Sequence, residues 1–245
     1  MSSTALIPLA QQQVPESFFG DRTGESCIEQ NKLFCPDWAI DNLDRYLDPT
    51  LQHMVLVGLS VGFGFAIAFA LALLCHRRRW LAPPVLGVTG ALYTIPSLAF
   101  FFLLLPVTGL GRDTAIIALT AYTLQIIFRN IFAGLDNVPN NVKDAGRGMG
   151  LTNRQVLWRV ELPLATPEII AGLRIATVST VALATLATFV NGGGRGTEMV
   201  TGSNINFPTG IVIAGTIVIL IAFCFDAILL TLQRLASPWR RAVAS

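Results

Sequence analysis

The sequence predicts an all-α integral membrane protein with five transmembrane helices. Three observations carry that class. Of the 245 residues, 53% are hydrophobic and only 13% are charged, where soluble domains carry about 25% charged residues. The charges are clustered, so 51–74, 81–111, 175–194 and 199–225 contain no Asp, Glu, Lys or Arg. A helix crosses a bilayer core with about 20 apolar residues, and several of these runs are too long for the alternative, a buried helix of a very apolar soluble protein. Finally, Lys and Arg gather on one set of connecting segments, as the cytoplasmic loops of membrane proteins require.

The first 50 residues form an acidic segment expected outside the membrane. They lack the basic start and apolar core of a secretory signal. Cys27 and Cys35 lie in this segment, where disulfides persist. A disulfide and two free thiols both remain open. Trp38, Leu43, Tyr46 and Leu47 suggest a short helix lying on the membrane surface. The transmembrane region is expected over 51–235, with spans near 51–75, 84–106, 113–132, 168–190 and 209–232, followed by a tail over 236–245.

In the first span, two rows of small residues recur every four positions. One is Gly58, Gly62, Ala66 and Ala70; the other is Ser60, Gly64, Ala68 and Ala72. Such rows allow close helix packing in lipid and argue for a bundle. The second span contains Pro96 in its middle, within Tyr93-Thr94-Ile95-Pro96-Ser97. Proline frees a backbone carbonyl there, which lipid cannot satisfy. Tyr93, Thr94, Pro96 and Ser97 are therefore candidates for the lining of a pathway. A packed kink satisfied by Thr94 or Ser97 is the plainer reading. The third span is short in apolar residues, but Asp113 and Arg129 can snorkel from its ends. Arg129, Arg174 and Asp226 are ionisable groups within or at the spans, and such groups pair or line a route. Arg174 and Asp226 lie at similar depths in the last two spans, which predicts an intramembrane ion pair. Between those spans, Asn191-Gly192-Gly193-Gly194 is a candidate hinge or gate, since consecutive glycines reach backbone conformations other residues avoid. Cys75 and Cys224 fall at or within spans and read as small packing residues.

Arg77, Arg78, Arg79, Lys143, Arg147, Arg154, Arg159, Arg234, Arg240 and Arg241 lie on one side of the predicted spans, with Arg129 beside them; Arg112 and Arg195 lie on the other. This asymmetry predicts a cytoplasmic C-terminus and an external N-terminus. It also places the long connection 136–165 in the cytoplasm. Within it, Val138-Pro139 opens a helix continuing through Asn140 to Gly148. Gly148 and Gly150 break that helix. Thr152 caps a second one, and Gln155 completes a capping box. Pro163 is expected to end this second run. The connection is far longer than the 2–8 residues typical of helical bundles, which favours a docking role over a plain link.

The residues Asp144-Ala145-Gly146, Gly150, Val160, Leu162 and Pro163 resemble the coupling motif of ABC importer permeases: Glu-Ala-Ala, three residues, Gly, nine residues, then Ile-x-Leu-Pro. Every spacing agrees. The substitutions are Asp for Glu, Gly for Ala and Val for Ile. Further stretches over 45–240 are similar to permeases for glycine betaine, choline, carnitine and related compatible solutes. They include Thr94-Ile95-Pro96-Ser97-Leu98-Ala99, Arg129-Asn130, Val160-Glu161-Leu162-Pro163-Leu164 and Arg174-Ile175-Ala176-Thr177. Tyr93 departs from a frequent Gln, and Asn191 and Arg195 interrupt a glycine-rich loop.

The resemblance implies a five-helix, MetI-like importer fold of type I, in the bacterial cytoplasmic membrane. It implies that the loop 138–163 docks into an ABC ATPase dimer. It also implies a second permease subunit and an extracytoplasmic solute-binding protein. ATP and Mg would reside on the ATPase. The chain has no phosphate loop ending in Lys-Ser/Thr, so it is expected not to be an enzyme, with no cofactor or metal of its own. Membrane lipid is an expected partner and nucleic acid is not. An importer of another small solute, such as an amino acid, shares this architecture. A passive channel or scaffold fits the spans but not the motif spacing.

Overall fold

A computed structural model describes residues 34–237. The Cys27–Cys35 pairing, most of the acidic 1–50 segment, and the tail cations Arg240 and Arg241 lie outside or partly outside those residues. Among the described residues the chain is helical throughout, without strands. A short helix α1 (Pro36–Asp41) and a 3-10 turn (Leu43–Tyr46) lead into α2 (Leu47–Arg77). After another 3-10 turn come α3 (Ala82–Thr94) and α4 (Ser97–Thr108), then α5 (Arg112–Asp136). The long connection holds α6 (Asn140–Gly148) and α7 (Asn153–Val156). A π-helical turn (Leu157–Glu161) joins α7 directly to α8 (Leu162–Leu183). A 3-10 segment (Ala184–Val190), α9 (Gly196–Asn204) and α10 (Pro208–Ala236) complete the order.

The bundle is built around α5, which packs against both α2 and α8. The two small-residue rows of α2 part company here. Ser60, Gly64, Ala68 and Ala72 are buried, whereas Gly58, Gly62, Ala66 and Ala70 are exposed. Gly64 sits where the Thr123 side chain of α5 leaves no room for a Cβ. Gly172 of α8 meets Asn130 of α5 in the same way. Small residues thus set the two central helix crossings, the usual device where lipid supplies no hydrophobic drive between helices. One half of the core holds Leu56, Phe101, Leu119 and Val181. The other half holds Ala72, Ile127, Ile131 and Ile169. Outside this core, Phe63, Leu103, Ile219 and Phe223 are exposed. In water such a rind would be an aggregation surface; in lipid it is the solvent-facing surface.

Several expectations are revised. The second span is not one kinked helix over 84–106: α3 and α4 meet at about 100°. Pro96 has no N–H to donate, and a residue before proline is driven out of the helical region; Ile95 accordingly sits at φ −65°, ψ 129°. The limbs contain 13 and 12 residues, each about 18–20 Å long and so shorter than the roughly 30 Å hydrocarbon core. Four helical runs are long and apolar enough to cross a membrane, and the bent pair makes a fifth.

Pro163 does not end the second loop helix. The Leu162 N–H bonds back to the Leu157 carbonyl across the π turn. Pro163 then falls in the first turn of α8, where proline is tolerated. The fourth span, expected from 168, is therefore continuous with the loop from Asn153 to Val190. Trp38 does not lie on a membrane surface. It is buried edge-on against Phe207, with ring centroids 4.8 Å apart, and against Tyr46 at 6.4 Å. Cys75 is buried, but Cys224 is exposed rather than packed.

Candidate coupling site and pathway

The loop helices are positioned by their own chemistry. Thr152 accepts a hydrogen bond from the Gln155 N–H, and the Gln155 side chain accepts from the Thr152 N–H at 2.8 Å, closing the capping box. Gly150 takes φ +84°, a left-handed conformation that costs a side-chain-bearing residue about 1–2 kcal/mol. It turns the chain from α6 into α7, with its N–H bonded to the Arg147 carbonyl at 2.9 Å. Asp144 and Ala145 are exposed, and Asp144 accepts from Arg147 at 2.9 Å. Gly146 is buried against Val156 and Val160. Leu162 is buried and Pro163 half-buried beneath them. The motif thus divides into an outward edge (Asp144, Ala145, Gly150) and an inward seat (Gly146, Val160, Leu162).

Sequence reasoning missed what ties this seat to the bundle. Glu161 is buried within the π turn, with its carboxylate 2.6 Å from His76 Nε2 at the end of α2. Lys143 Nζ of α6 approaches the same carboxylate at 3.8 Å. One acidic side chain therefore holds α2, α6 and the start of α8 together. Glu161 stands inside the Val-Glu-Leu-Pro stretch, and an acid flanked by apolar residues there was the available signal. Nearby, Arg79 of the 3-10 turn after α2 pairs with Asp136 at the end of α5 at 2.6 Å.

The predicted Arg174–Asp226 contact joins α8 to α10. Arg174 Nε donates to Asp226 at 2.9 Å and Nη2 donates to both carboxylate oxygens at 2.8 and 2.9 Å. Arg174 also donates to Gln233 at 3.3 Å, and Gln233 donates to the Pro167 carbonyl at 2.7 Å. The pair borders a cavity of about 350 Å³ with Ala171, Val178 and Ser179. Arg129 is exposed and makes no ion pair among the described residues.

The pathway candidates occupy two seats. Tyr93, Thr94, Pro96 and Ser97 form the α3–α4 bend. Tyr122 donates its hydroxyl to the Ile95 carbonyl there, and Thr94 donates to the Ala91 carbonyl at 2.7 Å. The bend is therefore satisfied by Tyr122 and Thr94, with Ser97 making no such bond. Tyr93 is exposed and packs edge-on to Tyr122 at 5.9 Å. Asn191, Gly192, Gly193 and Gly194 lie at the opposite end of the bundle from Glu161, in a packed turn rather than an open hinge. Asn191, Gly193 and Gly194 take positive φ values of 57°, 78° and 86°. Gly192 abuts Ala115 and Ala187. The N–H groups of Gly194 and Arg195 donate to Gln52 and His53, each at 3.4 Å.

Arg195, expected as a loop cation, is wholly buried. It bonds Glu198 on the unforeseen helix α9, and its guanidinium lies 5.0 Å from the centre of the Tyr46 ring. Arg45 adds a longer contact to Glu198 at 3.9 Å. Burial raises the Glu198 pKa, against the opposing pull of Arg195 and Arg45.

A bundle of lipid-facing helices, one broken at a proline and one running into a capped polar loop, is the architecture of a membrane permease. The profile of the binding-protein-dependent transport system inner membrane component family matches residues 60–241, and the chain belongs to that family. Among its relatives, the osmoprotectant import permease protein OsmW of Salmonella typhimurium is 37% identical over 210 residues, covering 82% of this chain and 96% of that protein. The glycine betaine/carnitine/choline transport system permease protein OpuCD of Bacillus subtilis is 38% identical over 191 residues, covering 78% of this chain and 83% of that one. The choline transport system permease protein OpuBB of Bacillus subtilis is 33% identical over 197 residues, with 80% and 91% covered. The fold matches an inward-facing structure of the MetNI methionine ABC transporter with a TM-score of 0.72 at 20% identity, covering 78% of this chain and 95% of that one. An amino acid ABC transporter structure gives a TM-score of 0.64 at 18% identity, with 80% and 95% covered.

Proposed function

We propose that this chain is the transmembrane subunit of an ATP-driven importer for a small compatible solute of the betaine, choline or carnitine type. It works by alternating access and is coupled to a separate ATPase through residues 138–163. The observation that carries the reading is the loop itself, a capped two-helix knob with an exposed motif edge on α6 and a second helix that continues without a break into the fourth span. In this reading the N-terminus is outside and the C-terminus cytoplasmic. ATP hydrolysis resides on an ABC ATPase dimer. A second permease, identical or homologous, completes the pathway, and an external binding protein delivers solute. The relatives' solutes support the substrate class.

The test is co-expression with a candidate partner ABC ATPase and uptake of labelled glycine betaine, choline and methionine. Uptake of a quaternary ammonium solute that collapses in Gly150→Trp, together with stimulated ATPase activity, is expected. Unimpaired flux without an ATPase would overturn the coupling, and preferential methionine uptake would replace the solute class by an amino acid.

A further inference from the structure

A recess of about 730 Å³ opens between the end of α2 and the loop helices. Leu73, Arg77, Arg147, Arg154 and Trp158 wall it, with Glu161 in its lining. The charges are unevenly committed. Arg147 is paired with Asp144, and Glu161 is turned to His76 and Lys143. Arg77 and Arg154 make no ion pair among the described residues. Two guanidinium groups with uncommitted donors thus face one cavity, and a guanidinium fork matches phosphate oxygens. The same cavity has an apolar wall, because Leu73 belongs to the last turns of a membrane-crossing helix and Trp158 is an exposed aromatic. Tryptophan favours the boundary between lipid and water.

We propose that this recess binds the phosphate headgroup of an anionic membrane lipid, with Arg77 and Arg154 as its ligands and an acyl chain running along α2 past Leu73. The ligand has both a phosphate and an apolar body, which the two walls match. A carboxylate surface of a partner protein is the competing occupant. The exposed motif residues Asp144, Ala145 and Gly150 do not line the recess, but Arg147 of its wall pairs with Asp144, so the recess borders the proposed ATPase-docking edge and the experiment separates the two. The inference rests on the proposed topology only in naming the cytoplasmic leaflet as the source of the lipid.

The experiment is native mass spectrometry of the transporter complex, and of this chain alone. Each is taken from nanodiscs of phosphatidylcholine with phosphatidylglycerol, and from phosphatidylcholine alone with added inorganic phosphate. Retained phosphatidylglycerol is expected, falling about fivefold in Arg77→Gln or Arg154→Gln and about thirtyfold in the double variant, from about 1 kcal/mol per basic residue. The double variant Arg77→Lys/Arg154→Lys, which keeps the charge, is expected to restore part of the retention and guards against a folding defect. Equal retention in parent and Gln variants overturns the proposal. Displacement by millimolar inorganic phosphate reassigns the recess to a free anion, and loss of the ATPase from the Gln variants reassigns the arginines to the partner. Because lipid retention is also read on the chain alone, it is decided even where no ATPase associates.

Discussion

Arg174 and Asp226 show what a single contact does in this chain. Their bidentate geometry sits on two apolar helices, and the groups retain about a quarter to a third of their side-chain exposure (25% and 35%), so solvent discounts the pair. Removing one partner still leaves a charge on an apolar face, which costs more than removing both. A double-mutant cycle with Arg174→Met and Asp226→Leu is expected to give a coupling of about 1–2 kcal/mol, measured as thermal stability in detergent. Additive losses would deny the pair its structural role. Gly146 is the converse case. A Cβ there would meet Val156, Val160 and Leu151 at 3.5–3.7 Å, ordinary contact distances. Gly146→Ala therefore restores the family residue without a clash. It is expected to stabilise α6 by about 0.5–1 kcal/mol, seen as slower amide hydrogen exchange over 140–148.

At the scale of elements, the crossing of α2 and α5 depends on which small row faces inward. Gly64→Ala places a methyl group on Thr123, whereas Gly62→Ala meets nothing within 4 Å. The first is expected to cost about 1–3 kcal/mol as overpacking and the second to be neutral, compared by thermal melting. Both rows were visible in the sequence, but their inward and outward assignment was not, because lipid and core ask for the same apolar residues. The long spans, the capping box and the Arg174–Asp226 pairing were legible because charge, period and spacing mark them. The 100° bend was only half legible: proline announces a break, but neither its angle nor the tertiary bond from Tyr122 to the Ile95 carbonyl at the bend is written in the local sequence. Helix α9 and the burial of Arg195 were not legible. Arg195 follows three glycines and reads as part of a loop, and a cation reads as exposed until a partner such as Glu198 arrives from folding.

For the molecule as a whole, the decisive feature is the unbroken run from Asn153 to Val190. If the proposed coupling holds, interrupting the run at the π turn with Trp158→Gly/Arg159→Gly is expected to leave the ATPase bound but to lower solute uptake per ATP hydrolysed by about tenfold or more, since paired glycines are sites where helices kink. Undiminished transport would show that the loop and the fourth span need not move together. The run contains 38 residues, roughly 55 Å of helix against a hydrocarbon core of about 30 Å. It acts as a beam resting on the bilayer with both ends overhanging. One overhang carries the buried half of the motif, Val160 and Leu162, on which the exposed edge of α6 is seated, and the other ends at the Asn191–Gly194 turn seated on His53. A tilt of about ten degrees around the middle of such a beam displaces each tip by about 5 Å, the scale of one helical turn. In the proposed coupling, a push at the inner tip would reach the outer turn along one continuous helical run of α7, the π turn, α8 and the 3-10 segment.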